Sequence, residues 1–162
     1  MGAQKLPQLR SPGDLAPGFE LARLEGGTVS LASLLPSGPI LLAFYKVTCP
    51  VCQFTLPFLE RIHAGAVLPI YAISQDDPAD TREFNAEYGL TLPTLLDTEE
   101  AGFPASNAYG ITHVPTMFLV GIDGRINRVI EGWNRAEIEA LGSSVGVRVI
   151  QPGDDVPAWK SG

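Results

Sequence analysis

Six consecutive apolar residues, Ile40 to Tyr45 in ILLAFY, run without a polar break and end four residues before Cys49. A strand with one wet face alternates apolar and polar side chains. An unbroken run of this length belongs instead to a strand covered on both faces, as parallel sheets with helices on each side produce. Gly38-Pro39 introduces the run, and Thr48-Cys49-Pro50-Val51-Cys52 follows it. Val51, Phe54, Phe58 and Ile62 then recur at three- and four-residue intervals, which predicts a helix with one stripe packed on a sheet. Pro57 lies inside that helix and is expected to kink it. The order strand, Cys-x-x-Cys, helix constrains the fold more than any other part of the chain.

The remaining pattern extends this layer. Residues 1–14 read as an irregular arm, since Pro7, Pro12 and Gly13 deny them regular structure. Phe19 to Leu24 and Thr28 to Leu31 flank Glu25-Gly26-Gly27 as a short hairpin, with a helical turn near Ser30 to Leu35. Val67 to Ile73 is a second apolar strand, interrupted by Pro69. Asp77-Pro78 opens a helix through Phe84 and Tyr88 that Gly89 closes. Thr94 to Leu96 is a brief strand, and Thr98 to Tyr109 has helical elements that Gly102 and Pro104 make broken or short. Thr116 to Val120 and Arg125 to Glu131 pair through Asp123-Gly124. Asn134, with Glu137 three residues on, caps a last helix. Val145 to Ile150 reads as an added edge strand, and 151–162 as a loose, flexible tail. Strands alternating with helices predict an α/β protein, with one domain spanning 15–150.

Bulk properties exclude several classes. A length of 162 residues and 45% hydrophobic content suit one domain with a real core, so no staple is required. A net charge of −7 argues against nucleic acid or an anionic membrane as partner. Ile40 to Tyr45 is the longest apolar stretch and is too short to span a bilayer. Met1 to Gly18 lacks the apolar run of a secretory leader, so the expected location is cytoplasmic, or periplasmic if a leader has been removed. No phosphate loop, metal cluster or Ser/His/Asp arrangement stands out, and the expectation is a monomer without cofactor or metal.

Cys49 and Cys52 are the only cysteines. The loop between them is too small to staple a fold, and a zinc site would need two more ligands at suitable spacing. Redox chemistry is the remaining use. At a helix N-terminus, unpaired N–H groups and the macrodipole favour a thiolate at Cys49, and Pro50 suits the first helical position, where no N–H is needed. Cys52, one turn in, is the shielded partner. The implied chemistry is thiol–disulfide exchange through a mixed disulfide.

His113-Val114-Pro115-Thr116 is the second element, a proline at the start of a strand. A cis Val114–Pro115 bond would present backbone to an extended partner and hold Thr116 near the sulfurs, although X–Pro bonds are cis in only roughly 5% of cases. Tyr45 and Lys46 could tune the pair, Lys46 by charge. The plainer readings are a surface-loop histidine at His113, a packing role for Trp133, and helix capping for Asp76-Asp77.

Taken in order, "APGFELARLEGGTVSLASL", "FYKVTCPVCQFTLPFL", "YAISQDDPADTREFNAEYGL", "LPTLLD" and "YGITHVPTMFLVGIDGRINRVIEGW" resemble the TlpA/ResA-like, redoxin branch of the thioredoxin superfamily over about residues 15–142. The resemblance implies a thioredoxin fold: a central mixed β-sheet flanked by helices, with an N-terminal β-hairpin extension and an inserted helix–strand segment. It implies a thiol–disulfide oxidoreductase with Cys49 as nucleophile, Cys52 as resolving cysteine and Cys49–Cys52 as the redox-active disulfide. Thr48, Pro50, Val51, Val114, a cis Pro115 and Thr116 would line the partner site. The partners implied are protein thiols or disulfides and an upstream dithiol reductant or oxidant.

The chain departs from relatives at three places. Thr48 stands where many carry tryptophan, Pro-Val separates the cysteines, and Thr55 replaces a glutamate common in exported reductases. A relative's redox potential therefore does not transfer. Two other readings share the fold. A peroxiredoxin-like peroxidase would want Thr or Ser three residues before its cysteine, where Lys46 stands. A copper-binding carrier would need a wider cysteine spacing and a distal histidine, a place His113 does not match.

Overall fold

The computed structural model describes residues 8–162. The expected irregular arm is thus described from Gln8 onward, its first seven residues lying outside. Its described part docks on the body: Arg10 N donates to Tyr109 O at 3.1 Å and Gly13 N to Ile126 O at 2.8 Å.

Among the described residues, nine strands and five α-helices follow one another as β1 (Glu20–Arg23), β2 (Thr28–Ser30), α1 (Leu31–Leu34), β3 (Ile40–Tyr45), α2 (Pro50–Ala64), β4 (Ile70–Ser74), α3 (Pro78–Glu87), β5 (Thr94–Leu96), α4 (Pro104–Tyr109), β6 (Thr116–Val120), β7 (Ile126–Glu131), β8 (Trp133–Asn134), α5 (Arg135–Ser144) and β9 (Trp159–Lys160). Seven strands form one sheet in the order β2-β1-β5-β4-β3-β6-β7. The pairs β3–β4 and β4–β5 are parallel, and the rest are antiparallel. The sheet is therefore mixed, with the β1–β2 hairpin added at the β5 edge.

The central place of β3 accounts for its composition. Leu41, Ala43 and Tyr45 enter a core shared with Leu56, Leu59 and Ile62 of α2 and Ile138 and Leu141 of α5. Ile40, Leu42 and Phe44 enter a second core with Leu31 and Leu34 of α1 and Ala105 and Tyr109 of α4. Successive strand residues face opposite sides, so a strand between two cores must be apolar throughout. Helix α2 runs unbroken through Pro57. Asp77 caps α3 by accepting from Asp80 N at 2.8 Å, and Asn134 caps α5 by accepting from Glu137 N at 3.1 Å. The return half of that box is not made: Glu137 Oε2 is buried without a partner among the described residues.

Three expectations are corrected. Strand β4 starts at Ile70 instead of Val67 because Pro69 offers no N–H to the ladder, while its carbonyl still accepts from Leu41 N at 2.9 Å. Thr98 to Tyr109 holds the short helix expected there, at Pro104–Tyr109. Val145 to Ile150 forms no strand. The chain turns back over the end of α5, with Val147 N on Gly142 O at 2.8 Å, and buries Val149 and Ile150 in the α2–α5 core. Finally, 151–162 is not a loose tail. β9 pairs antiparallel with β8, Arg61 binds Asp154 at 2.7 Å, and the Pro157 carbonyl accepts from Trp133 Nε1 at 2.7 Å. A fully buried indole needs an acceptor for its N–H, and this segment supplies it.

Candidate active site

The groove holding Cys49 forms where β3 and β4 end side by side and the chain leaves the sheet. It is open, about 520 Å³, and is lined by Lys46, Cys49, Pro50, Gln75, residues 111–114 and Gly162. The loop from Lys46 to Thr48 is tied down from two sides. Val47 N donates to Asp76 Oδ2 at 2.8 Å, and Gln53 Nε2 donates to Val47 O at 3.0 Å.

Cys49 is the N-cap of α2, with extended backbone at φ −87° and ψ 114°. Its sulfur takes the place of the usual capping oxygen and accepts from Cys52 N at 3.0 Å. Pro50, exposed, takes the first helical position. Cys49 is half-buried, whereas Cys52 is wholly inaccessible. Both are free thiols. The Cys52 thiol beside it, aided by the backbone N–H groups of Cys52 and Val51, lowers the Cys49 pKa to about 6, although partial burial acts the other way. Burial first, and then the neighbouring Cys49, pushes the Cys52 thiol far up. Two cysteines one helical turn apart are thus a thiolate and a thiol at neutral pH.

The Val114–Pro115 peptide is cis. It brings the Val114 carbonyl within 3.4 Å of Cys49 Sγ, where it accepts from the protonated sulfur. Pro115 is buried and Val114 half-buried. Thr116 is buried in the β3–β6 ladder, and its hydroxyl donates to His113 O at 2.8 Å, so it closes the turn and is spent there instead of on either sulfur. Thr48 is exposed and makes no side-chain hydrogen bond among the described residues. Val51 packs on the α2 core.

The remaining candidates sort themselves by environment. Lys46 is exposed at the groove, and His113 is exposed with its Nδ1 2.9 Å from Thr112 Oγ1. Tyr45 is buried on Asn85 Oδ1 at 2.8 Å. Its burial raises its hydroxyl pKa above the ordinary range. Trp133 is fully buried in edge-on contact with Phe54. Thr55 is buried with its hydroxyl unpartnered among the described residues. Among those residues, no group of three or more His, Cys, Asp and Glu is placed to hold a metal ion. Sequence reasoning missed Gln53, Gln75 and the site role of Asp76. The available signal was their place just after parallel strands or one turn into α2, where ligand-facing groups of α/β sheets collect.

A family model described as the AhpC/TSA family matches residues 12–129, most of the chain. The chain belongs to the AhpC/TSA family. Within this family it is similar to the thiol-disulfide oxidoreductase ResA of Halalkalibacterium halodurans, at 31% identity over 128 residues that cover 76% of this chain and 70% of that protein. Its fold matches the thioredoxin domain of a thiol-disulfide oxidoreductase from Bacteroides vulgatus with a TM-score of 0.74 at 20% identity, covering 85% of this chain and 99% of that one. It also matches a peroxidoxin of Mycobacterium tuberculosis with a TM-score of 0.69 at 21% identity, covering 83% and 94% respectively. This AhpC/TSA member therefore has the thioredoxin fold in its ResA-like form, as the ordered motifs implied.

Proposed function

We propose that the protein is a thiol–disulfide oxidoreductase in which Cys49 attacks and Cys52 resolves. The observation that carries this reading is the asymmetry of the pair: an accessible sulfur lowered to about 6 on a helix N-terminus, above a buried thiol. The Cys49 thiolate attacks one sulfur of a partner disulfide and displaces the other as a thiolate, leaving a Cys49–partner mixed disulfide. Cys52 then gives up its proton and attacks Cys49 Sγ, which releases the partner's second thiolate and closes Cys49–Cys52. The partner gains two electrons and the protein loses two. A dithiol donor returns them when the protein works as a reductant, and the same steps reversed make it an oxidant. The open groove beside Val114 and the cis Pro115 supports an extended protein segment as the substrate. The ResA relative's name supports the same class.

Trapping tests the roles directly. Cys52→Ser accumulates mixed disulfides with partner proteins on non-reducing gels, and Cys49→Ser accumulates none. Mixed disulfides formed through Cys52 alone would overturn the assignment. A reduction potential for the pair near roughly −270 mV marks a general reductant, and one near roughly −120 mV an oxidant.

The likeness to a peroxidoxin fold favours a second reading, a thiol peroxidase using the same Cys49. Lys46, three residues before it, takes the place of the Thr or Ser that chemistry wants, so exchange is preferred. Rapid, saturable peroxide consumption by the reduced protein would reverse the order. None of the described helices is long and apolar enough to cross a membrane. We place the protein in the cytoplasm as a monomer, to be checked by cell fractionation and sedimentation.

A further inference from the structure

Gln75 follows β4 directly and lines the same groove as Cys49. Its main-chain N–H donates to Tyr45 O at 3.0 Å, which extends the β3–β4 pairing one step past the strand. Its side chain is anchored as well, with Nε2 donating to Ser106 Oγ at 2.8 Å. Ser106 is 4% exposed, and its hydroxyl donates to Asp97 Oδ2 at 2.6 Å. Asp97 is wholly buried and also accepts from Ala105 N at 2.9 Å and Ser106 N at 2.7 Å.

This chain of bonds fixes the orientation of an amide that geometry alone leaves ambiguous. Ser106 has one hydroxyl hydrogen, and it lies on the bond to a carboxylate that acts only as an acceptor here. Only lone pairs remain on Ser106 Oγ for Gln75, so the amide must present its NH2 to Ser106. Oε1 then faces away from Ser106, and it meets no donor among the described residues. Gln75 lines the groove that holds Cys49, so a fixed hydrogen-bond acceptor with no donor among the described residues belongs to its wall, an arrangement suited to a main-chain N–H of an extended polypeptide.

We infer that Gln75 is a partner-contact residue whose Oε1 accepts a main-chain N–H from the polypeptide bearing the disulfide under attack, with Ser106 and Asp97 as positioning residues. The inference rests on the oxidoreductase reading above. Steady-state reduction of insulin, with dithiothreitol as electron donor, tests it. Gln75→Leu raises the KM for insulin about fivefold, the worth of one net hydrogen bond, while kcat stays within about twofold. Ser106→Ala, which frees the amide to rotate, raises KM by about two- to threefold, and Ser106→Thr, which keeps the hydroxyl, restores it. An unchanged KM in Gln75→Leu overturns the inference, as does a Ser106→Ala defect that Ser106→Thr fails to rescue. Wild-type protein that does not reduce insulin at all overturns the oxidoreductase reading instead, so the two failures are distinguishable.

Discussion

Two open grooves on this molecule differ in the opposite sense from what their sizes suggest. The larger, about 800 Å³, lies between α3 and the β1–β5 pair and is lined by Arg23, Arg82, Leu90 and Leu92 among others. It offers guanidiniums and an apolar wall but no nucleophile, and Arg82 is committed to the Leu24 carbonyl at 3.1 Å. The smaller groove holds Cys49, Lys46, Gln75 and His113. What separates them is position in the fold. The smaller groove sits where parallel strands end and a helix begins, so backbone N–H groups converge on one sulfur. Volume measures room, whereas this convergence makes a group reactive.

Substitution in each groove is the most direct way to break the contrast. Cys49→Ser abolishes insulin reduction, while Arg82→Ala leaves it within about twofold, as for most surface changes away from a site. A comparable loss in both variants would show that the larger groove takes part. The pH dependence is the next largest effect. With its pKa lowered to about 6 from an ordinary value near 8.5, Cys49 is alkylated by iodoacetamide with a midpoint near pH 6 and a plateau by about pH 8. The sign for stability follows: the reduced fold gains from this group as pH rises between those values, keeps the gain above them and loses it as pH falls through 6. A midpoint near 8.5 would mean that neither the Cys52 thiol nor the backbone N–H groups of Cys52 and Val51 stabilise the Cys49 thiolate.

Support beneath the reactive groove is measurable too. Trp133 is fully buried, meets Phe54 edge-on and Phe58 at a tilt, and anchors the 151–162 segment through its indole N–H. Trp133→Ala costs about 3–5 kcal/mol in denaturant unfolding. A cost under about 1 kcal/mol would show that the segment does not bear on the core. The smallest expected effect is a gain. Thr55 buries a hydroxyl with no partner among the described residues, so Thr55→Val removes an unmet polar group at nearly constant volume. It is neutral to stabilising by about 1 kcal/mol, and a clear destabilisation would reveal a hydrogen bond made by that hydroxyl.

The parts of this protein that were legible early share a local cause. ILLAFY announces a strand covered on both faces, Asp77-Pro78 and Asn134 announce helix starts, and Asp123-Gly124 announces a hairpin, because each signal is contained within a few residues. The Cys49–Cys52 pair was legible for the same reason, since its context is the strand before it and the helix after it. The misreadings arose where distant segments decide. Val145 to Ile150 has strand composition, yet Val149 and Ile150 find a buried place over α5 instead of a sheet edge. The polar, proline-broken 151–162 looks loose until Trp133 requires an acceptor from it.

By itself the amino-acid sequence determined the α/β layering, the covered central strand and the two sulfurs one helical turn apart, because hydrophobic period and capping act over short range. Only the tertiary structure decided that Thr116 turns its hydroxyl to His113 instead of the sulfurs, that Val114 lies against Cys49, and that Gln75, Ser106 and Asp97 form one chain of hydrogen bonds beside it. Those residues come from separate elements, and their meeting depends on how β3, β4 and β6 are paired. The two cysteines are equivalent as letters. The Cys52 thiol and the backbone N–H groups beside Cys49 favour a thiolate there, and burial keeps Cys52 a thiol, an arrangement that exists only once the chain is folded.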